Sequence, residues 1–324
     1  MRYLRWILIA AIIALAVYHL KPHFADFEQF PHILKSANYF FLFLSALGIF
    51  GQYIGDGWLS KALLEITGHK ISLRTTIKIA SIDVFAAHLL PIGEAGVVAT
   101  SAYFYKKLGV SNQGVIFLTL AWGIATNIVL FIFLLTSFAF LPKLPNVPIH
   151  ISNIAKILIL IILALLLVIV VFRKLIFKLL DKKLAKYAFF GEIKKFISKF
   201  ASHKQKLAQN KKLAAEAMLA ALVYYIANIA SLYLCFLAFH AHPNIAVVTA
   251  AYLISLIVAT VTLTPAGIGT AEATMILVFL QFGQNPALTT AAVLAFRLFA
   301  FWLPIPAGAM AYMSLKSAKV ENQG

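Results

Sequence analysis

The sequence predicts an all-α polytopic membrane protein, with about six full transmembrane helices and two re-entrant, broken helical hairpins arranged as an inverted-topology repeat. Of its 324 residues, 62% are hydrophobic and only 12% are charged, about half the charged fraction of a typical soluble domain. Apolar stretches of membrane-spanning length recur along the chain. Two further apolar regions are interrupted by Pro, Gly and Glu, which indicates helices that break inside the membrane.

Six apolar stretches are long enough to cross a bilayer as helices. They cover residues 4–20, 37–57, 113–140, 152–172, 213–239 and 286–315. The first has a basic start and an apolar centre, but no small-residue cleavage site follows it. This pattern favours a retained span over a signal peptide. We therefore expect a single transmembrane domain over residues 1–324.

The distribution of basic residues predicts the orientation of the chain. The 28 Lys and Arg exceed the 11 Asp and Glu, giving a formal net charge of +17. Thirteen of these cations lie in the amphipathic loop 173–212, which should be cytoplasmic and rest on the inner leaflet. Because the chain changes sides with each complete span, this assignment places the N- and C-termini in the cytoplasm. We expect the protein in the cytoplasmic (inner) membrane. Because anionic lipid headgroups account for this charge, we expect no nucleic-acid partner.

The two broken regions are predicted to enter the membrane from opposite faces. The region 79–105 begins and ends inside, and its arms of about 12 residues on either side of Pro91–Gly93 are too short to span. The region 246–282 begins and ends outside, with arms of about 18 and 13 residues by the same measure. A pair of complete spans over 246–282 would also begin and end outside. A re-entrant hairpin and two complete spans therefore both remain possible for this region.

The broken regions match each other at a fixed offset of 174 residues. Leu89, Pro91 and Gly93 align with Leu263, Pro265 and Gly267. The repeats cover about 37–140 and 213–315, and the predicted topology gives them opposite orientations. This is the plan of many transporters, in which the substrate is handled where broken helices meet near the membrane midplane. In the second hairpin, Gly269 or Thr270 is expected to cap the returning arm, with Glu272 in its first turn.

Ionisable residues inside apolar regions are candidates for function, because each is costly there unless it is paired or hydrated. The candidates are Asp56, Asp83, His88, Glu94, Glu272 and Arg297, with Asn127 and Asn228 as polar companions. Arg297 would meet a lipid phosphate or pair with a hairpin carboxylate in a cavity. Alternatively, Glu272 caps a helix and Arg297 is its structural partner. For Asp56 we expect interfacial placement, and for His88 a hydrogen-bonded core position.

No sequence motif predicts catalysis or cofactor binding. The chain has no phosphate-cradling loop, no GxSxG, no HExxH and no carboxylate pair that suits hydrolysis. Cys235 is the only cysteine, so neither an intramolecular disulfide nor a cysteine-based metal site is expected. We therefore predict a protein that is not an enzyme and uses no metal and no cofactor.

The segment PAGIGTAE (265–272) resembles the Pro-x-Gly-x-Gly-x-x-Glu signature of the lysylphosphatidylglycerol synthase transmembrane-region family. LPIGEAG (90–96), followed by LGVS (108–111), resembles the family's first hairpin and its step into the next helix. The resemblance implies movement of lipids across the bilayer, including aminoacylated phosphatidylglycerol and glycolipids. The functional positions it implies are Pro265, Gly267, Gly269, Glu272 and Arg297, together with Pro91, Gly93 and Glu94.

Two departures from that family leave the lipid headgroup open. Family members often carry a Glu-Arg pair in the helix after LGVS, whereas this chain reads LAWGIATN (120–127), and their first turn is often more basic. Three readings follow: a lipid flippase, a membrane subunit in lipid or glycan assembly, or a transporter of small solutes or ions. The first implies membrane lipids as partners, with anionic phospholipid or glycolipid as substrate. The sequence leaves direction, energy coupling and oligomeric state undetermined, and a homodimer is compatible with it.

Overall fold

The computed structural model describes residues 30–89, 94–142, 210–262 and 267–317. The chain divides into two compact units, one formed by residues 1–142 with 210–324 and the other by residues 143–209. The second unit lies outside the described residues, as does the predicted first span 4–20. The predicted span 152–172 and most of the basic loop 173–212 therefore stay predictions.

Every regular element within the four described ranges is helical. In chain order the helices are α1 (Phe30–Lys35), α2 (Tyr39–Ile66), α3 (Leu73–Leu89), α4 (Glu94–Lys107), α5 (Asn112–Phe140), α6 (Lys211–Ala238), α7 (Ile245–Thr262), α8 (Thr270–Gln281), α9 (Pro286–Arg297) and α10 (Pro304–Ser317). A π-helical segment, Leu298–Trp302, joins α9 to α10.

Five helices within the described part of the chain are long and apolar enough to cross a membrane. They are α2, α5, α6, α7 and the continuous stretch Pro286–Leu315. The predicted spans 113–140, 213–239 and 286–315 agree with these helices to within two residues at each end. The predicted span 37–57 is too short, because α2 continues to Ile66. The i,i+4 salt bridge between Lys61 and Glu65 at 2.7 Å supports the extra turns.

The centre of the fold is the antiparallel contact between α2 and α6. Ser45 Oγ and Ser231 Oγ lie 2.8 Å apart, and further along the contact the backbone of Gly55 lies against Ala220 and Tyr224. Small residues let the two backbones approach closely, so that van der Waals packing and hydrogen bonds replace the hydrophobic effect as the source of helix association.

The broken regions pack against this centre as two helix pairs, α3 with α4 and α7 with α8. The helix α3 also packs on α2 and α10, and α7 packs on α5. At the α3–α10 contact, a Cβ on Gly308 would lie 2.4 Å from Phe85 Cβ and 2.6 Å from the Ser81 carbonyl oxygen. Gly308 therefore permits the close contact of α3 with α10.

The arms of the first broken region are longer than the predicted 12 residues. They contain 17 residues in α3 and 14 in α4, because α3 begins at Leu73 rather than near 79. The hydroxyl of Ser72 accepts a hydrogen bond from the Thr75 N–H at 3.3 Å, so this polar first turn is helical although it is not apolar. The second region has arms of 18 and 12 residues, close to the prediction. The connecting residues 90–93 and 263–266 lie outside the described ranges.

Candidate functional site

An ion pair joins the start of α8 to the end of α9. Arg297 Nε donates a hydrogen bond to Glu272 Oε1 at 2.6 Å, and the two side chains are only 15% and 19% exposed. A buried charge that loses its partner costs about 3–5 kcal/mol, so each side chain holds the other in place. The sequence predicts both residues as site candidates, with pairing to each other as one alternative, and 25 residues separate them.

The turn before α8 positions Glu272. Gly267 and Gly269 have φ angles of +69° and +80°, in the left-handed region that favours glycine. A Cβ on Gly267 would also lie 2.8 Å from Ala259 Cβ, where the chain turns back along α7. Gly269 is the N-cap of α8 and Glu272 lies in its first turn, which confirms the predicted cap. The positive end of the helix dipole stabilises this carboxylate.

Arg297 lies where regular α-helix ends. In the π segment that follows, the Leu303 N–H donates to the Leu298 carbonyl at 3.2 Å, five residues back. Pro304 then contributes no N–H at all. The wide turn and the proline together interrupt the α-helical hydrogen bonding directly after Arg297, and π segments of this kind occur often at functional sites.

An aromatic ring connects this ion pair to the first broken region. Arg297 Cζ lies 5.4 Å from the centroid of the Phe301 ring, within the range of a cation–π interaction. The imidazole of His88, in the last turn of α3, stacks on the same ring with centroids 4.3 Å apart. We refer to Arg297, Glu272, His88 and Phe301 as the charged cluster. Phe301 was not among the predicted site residues, although its position four residues after Arg297 was an available signal.

Two polar atoms of the charged cluster are buried and have no hydrogen-bond partner. They are Oε2 of Glu272 and Nδ1 of His88. Strong arginine–carboxylate pairs frequently use both carboxylate oxygens, whereas here only Oε1 of Glu272 contacts Arg297. A buried polar atom without a partner costs about 1–3 kcal/mol. The cluster therefore retains hydrogen-bonding capacity that the resting structure does not use.

The other predicted site residues have different partners. Asp83 is 8% exposed and accepts a hydrogen bond from Ser101 Oγ, which ties α3 to α4. Asn127 is exposed, and its Nδ2 donates to the Gly123 carbonyl at 2.7 Å within α5. Both side chains thus have structural roles here, and a functional role for either stays a prediction.

The remaining predicted residues lie at the first break and in the second turn. Pro91, Gly93 and Pro265 are outside the described residues. Glu94 is the first residue of α4, which places its backbone directly after the first break. Any contribution of these four residues to a substrate site is therefore still a prediction from sequence.

Asp56 has a specific partner that the sequence did not reveal. Trp122 Nε1 donates to Asp56 Oδ1 at 2.7 Å, joining α2 to α5 across 66 residues of sequence. We expected simple interfacial placement for this carboxylate, and the structure adds a charge-assisted hydrogen bond. Among the described residues, no group of three or more His, Cys, Asp or Glu side chains could hold a metal ion.

The chain matches the lysylphosphatidylglycerol synthase TM region family over residues 5–308, which is nearly its full length. The protein belongs to this family. It is also 26% identical over 279 residues to the UPF0104 membrane protein MJ1595 of Methanocaldococcus jannaschii, an alignment that covers 82% of this chain and 81% of that protein. Membership of the lysylphosphatidylglycerol synthase TM region family confirms the resemblance seen in PAGIGTAE. Together with the five apolar helices, it identifies a multi-pass membrane protein.

Proposed function

We propose that this protein moves an anionic phospholipid or glycolipid across the cytoplasmic membrane, with the lipid phosphate bound by Arg297 between two re-entrant hairpins. The observation that carries the proposal is the Arg297–Glu272 pair, a largely buried ion pair next to two helix breaks. Only one carboxylate oxygen of Glu272 bonds to Arg297, and the other is unused. A contact through one oxygen is easier to exchange for another anion than a bidentate salt bridge.

Repeated structural detail supports the inverted repeat. Adding 174 to the bounds of α3 gives 247–263, and the equivalent helix α7 covers Ile245–Thr262. Adding 174 to the bounds of α5 gives 286–314, and the equivalent stretch from α9 through α10 covers Pro286–Ser317. The helix α3 packs on α10 as α7 packs on α5, which are equivalent contacts under this offset. Because α2 and its equivalent α6 cross in antiparallel orientation, the two halves have opposite directions in the membrane.

The joints between helices repeat as well. Gly109 and Gly283, 174 residues apart, both have positive φ, at +83° and +76°. The side chain of Ser111 accepts from the Gly114 N–H at 3.1 Å, and its equivalent Asn285 accepts from the Leu288 N–H at 3.0 Å. Matching caps at matching positions are expected of a duplicated unit and are not required by apolar composition.

Contacts at the helix ends support re-entry of the first hairpin. Lys78 Nζ, near the start of α3, donates to Ser314 Oγ at 2.7 Å. Lys107 Nζ, the last residue of α4, donates to the Leu315 carbonyl at 3.1 Å. Both outer ends of the pair α3–α4 therefore lie beside the end of α10, on one side of the protein. Basic residues at this side favour the cytoplasm, in agreement with the predicted orientation of the C-terminus.

Helix length supports re-entry of the second hairpin. The 12 residues of α8 extend only about 18 Å at 1.5 Å per residue, against a hydrocarbon core of about 30 Å. The 18 residues of α7 reach about 27 Å by the same rise. A pair of complete spans therefore requires more length than α8 has, and we infer that this pair turns back within the membrane.

The proposed transport step exchanges the partner of Arg297. A lipid phosphate brings a negative charge and several acceptor oxygens, so it competes with the Glu272 carboxylate for the guanidinium. Glu272 regains its bond to Arg297 when the phosphate leaves, which restores the resting pair. Movement of one repeat against the other then opens the site to alternate faces, while the acyl chains stay in the surrounding lipid.

Leaflet exchange of fluorescent lipids in proteoliposomes tests the proposal. Wild-type protein should accelerate exchange of at least one of the anionic, zwitterionic and glycolipid probes, and Arg297→Gln should reduce the protein-dependent rate to background. The matched control is Arg74→Gln, because Arg74 is exposed near the start of α3 and should leave the rate unchanged. Absence of acceleration by wild-type protein with all three probes would refute the transport assignment.

The same vesicles separate transport from the two alternative functions. We propose that the protein does not change its lipid chemically, so mass spectrometry should recover each probe with its original mass. A probe of altered mass would favour an enzyme of lipid assembly. Uptake of a small ion without lipid exchange would favour the solute-transport alternative.

A further inference from the structure

The second unused atom of the charged cluster belongs to His88, which has no part in the transport step described above. His88 comes from α3, in the repeat opposite to that of Arg297. Its ring stacks on Phe301 at an interplanar angle of 31°, and Phe301 also lies under the guanidinium of Arg297. The imidazole forms a hydrogen bond with the Phe301 backbone and lies within electrostatic range of the Arg297 guanidinium. One aromatic ring thus brings together nitrogen-bearing side chains from both repeats.

The chemistry of the imidazole limits what this arrangement can do. Nδ1 of His88 is buried and has no hydrogen-bond partner. A proton added there would place a second positive charge within electrostatic range of Arg297, and like charges disfavour each other. An anion that contacts both groups removes this repulsion and supplies an acceptor for the new N–H. Protonation of His88 and occupation of the site by an anion should therefore favour each other.

From this geometry we propose that His88 is a second phosphate-binding residue, and that binding of a lipid phosphodiester at Arg297 is coupled to uptake of one proton by His88. The proton comes from water that reaches the open site, and the protonated Nδ1 donates to a phosphate oxygen. The proton returns to water when the phosphate leaves. The inference rests on the proposed lipid transport and adds to it that the substrate site is shared between the two repeats.

Three charged residues in α3 and the adjacent α2 have contacts elsewhere. In α3 itself Asp83 accepts from Ser101 of α4, and Lys78 donates to Ser314 of α10. In α2, Asp56 accepts from Trp122. Glu272 faces the cluster through its bond to Arg297, so a displaced Glu272 carboxylate is the alternative acceptor of the proton. A test must therefore distinguish His88 from Glu272.

Calorimetric titration of the solubilised full chain with short-chain phosphatidylglycerol measures this coupling. Performing the titration near neutral pH, in phosphate-free buffers of different ionisation enthalpy, gives the number of protons taken up for each lipid bound. Short-chain diacylglycerol, which lacks the phosphate, is the matched control ligand. Wild-type protein should take up a substantial part of one proton with phosphatidylglycerol, and diacylglycerol should cause no uptake.

Four variants assign the proton. His88→Phe keeps an aromatic ring against Phe301 and should abolish uptake, with about tenfold weaker binding of phosphatidylglycerol from the lost charge-assisted hydrogen bond. His88→Gln should behave in the same way and serves if the first variant does not fold. Glu272→Gln should retain uptake. His242→Asn, at an exposed histidine, should match wild type.

Each other outcome overturns a defined part of the account. Phosphatidylglycerol binding by wild type without proton uptake, or uptake that persists in both His88 variants, refutes the role of His88 and leaves lipid transport standing. Uptake that disappears in Glu272→Gln but not in the His88 variants assigns the proton to the carboxylate and also refutes it. If phosphatidylglycerol does not bind and no lipid probe is exchanged, the proposed function itself fails.

Discussion

Replacing Gly55 tests the contact on which the central helix pair depends. A Cβ at this position would lie 2.6 Å from the Tyr224 backbone nitrogen and 2.9 Å from the Ala220 carbonyl oxygen. Both neighbours are backbone atoms of α6, so no side-chain rotation relieves the overlap. The helices α2 and α6 must move apart by several tenths of an ångström, and Ser45 and Ser231 must lengthen their hydrogen bond.

The expected cost follows from the competing effects of an added methyl group. Overpacking of a tight interior costs about 1–3 kcal/mol, while replacing a helical Gly by Ala returns about 0.5–1 kcal/mol. Gly55→Ala should therefore lower the free energy of unfolding by roughly 1–2 kcal/mol. Gly123→Ala is the matched control, because a Cβ there meets nothing within 4 Å, and it should be neutral or slightly stabilising.

Denaturation of the two variants in mixed micelles, followed by circular dichroism, gives the comparison. Equal stability of Gly55→Ala and Gly123→Ala would contradict the close backbone contact between α2 and α6. It would also remove one support for the antiparallel crossing of the two repeats.

The remaining predictions concern partners inside the membrane. Glu272→Gln and Arg297→Gln should each lower the free energy of unfolding by about 1–3 kcal/mol, less than for a fully buried pair because both side chains are partly exposed, and the double variant should lose less than their sum. Additive losses in the same denaturation assay would show that the pair is not coupled. Ser101→Ala removes the hydroxyl donor to Asp83 and should cost about 1–3 kcal/mol. The control Thr100→Val removes a hydroxyl bonded only to the Gly96 carbonyl of its own helix and should cost less. Equal losses in the two variants would show that the Ser101–Asp83 hydrogen bond between α3 and α4 does not add stability.

Local signals in the sequence predicted much of the helical framework. Apolar length fixed three spans to within two residues, and the glycines of PAGIGTAE predicted the start of α8 because their conformations are unfavourable for other residues. The bounds of α2 and α3 were predicted less well. Charged residues in their outer turns, such as Lys61, Glu65 and Arg74, lower the local hydropathy, although the Lys61–Glu65 spacing and the Ser72 cap are consistent with helix.

Contacts between distant segments could not be read from the sequence. Arg297 and Glu272 were both conspicuous as charges in apolar surroundings, yet the sequence does not show that they bind each other rather than other groups. Trp122 and Asp56 meet only because α2 and α5 pack together, and His88 reaches Phe301 only because the first broken region packs on α10 and the π segment before it. Such pairings depend on tertiary geometry, which one sequence without its fold does not specify.

The most direct test of the central claim is an experimental structure of the protein in nanodiscs that contain anionic phospholipid. The account predicts phosphate density within hydrogen-bonding distance of Arg297, with the Glu272 carboxylate displaced from the guanidinium, in at least one conformational class. A site in which Glu272 stays bonded to Arg297 in every class, with lipid phosphates confined to the two membrane surfaces, would contradict it.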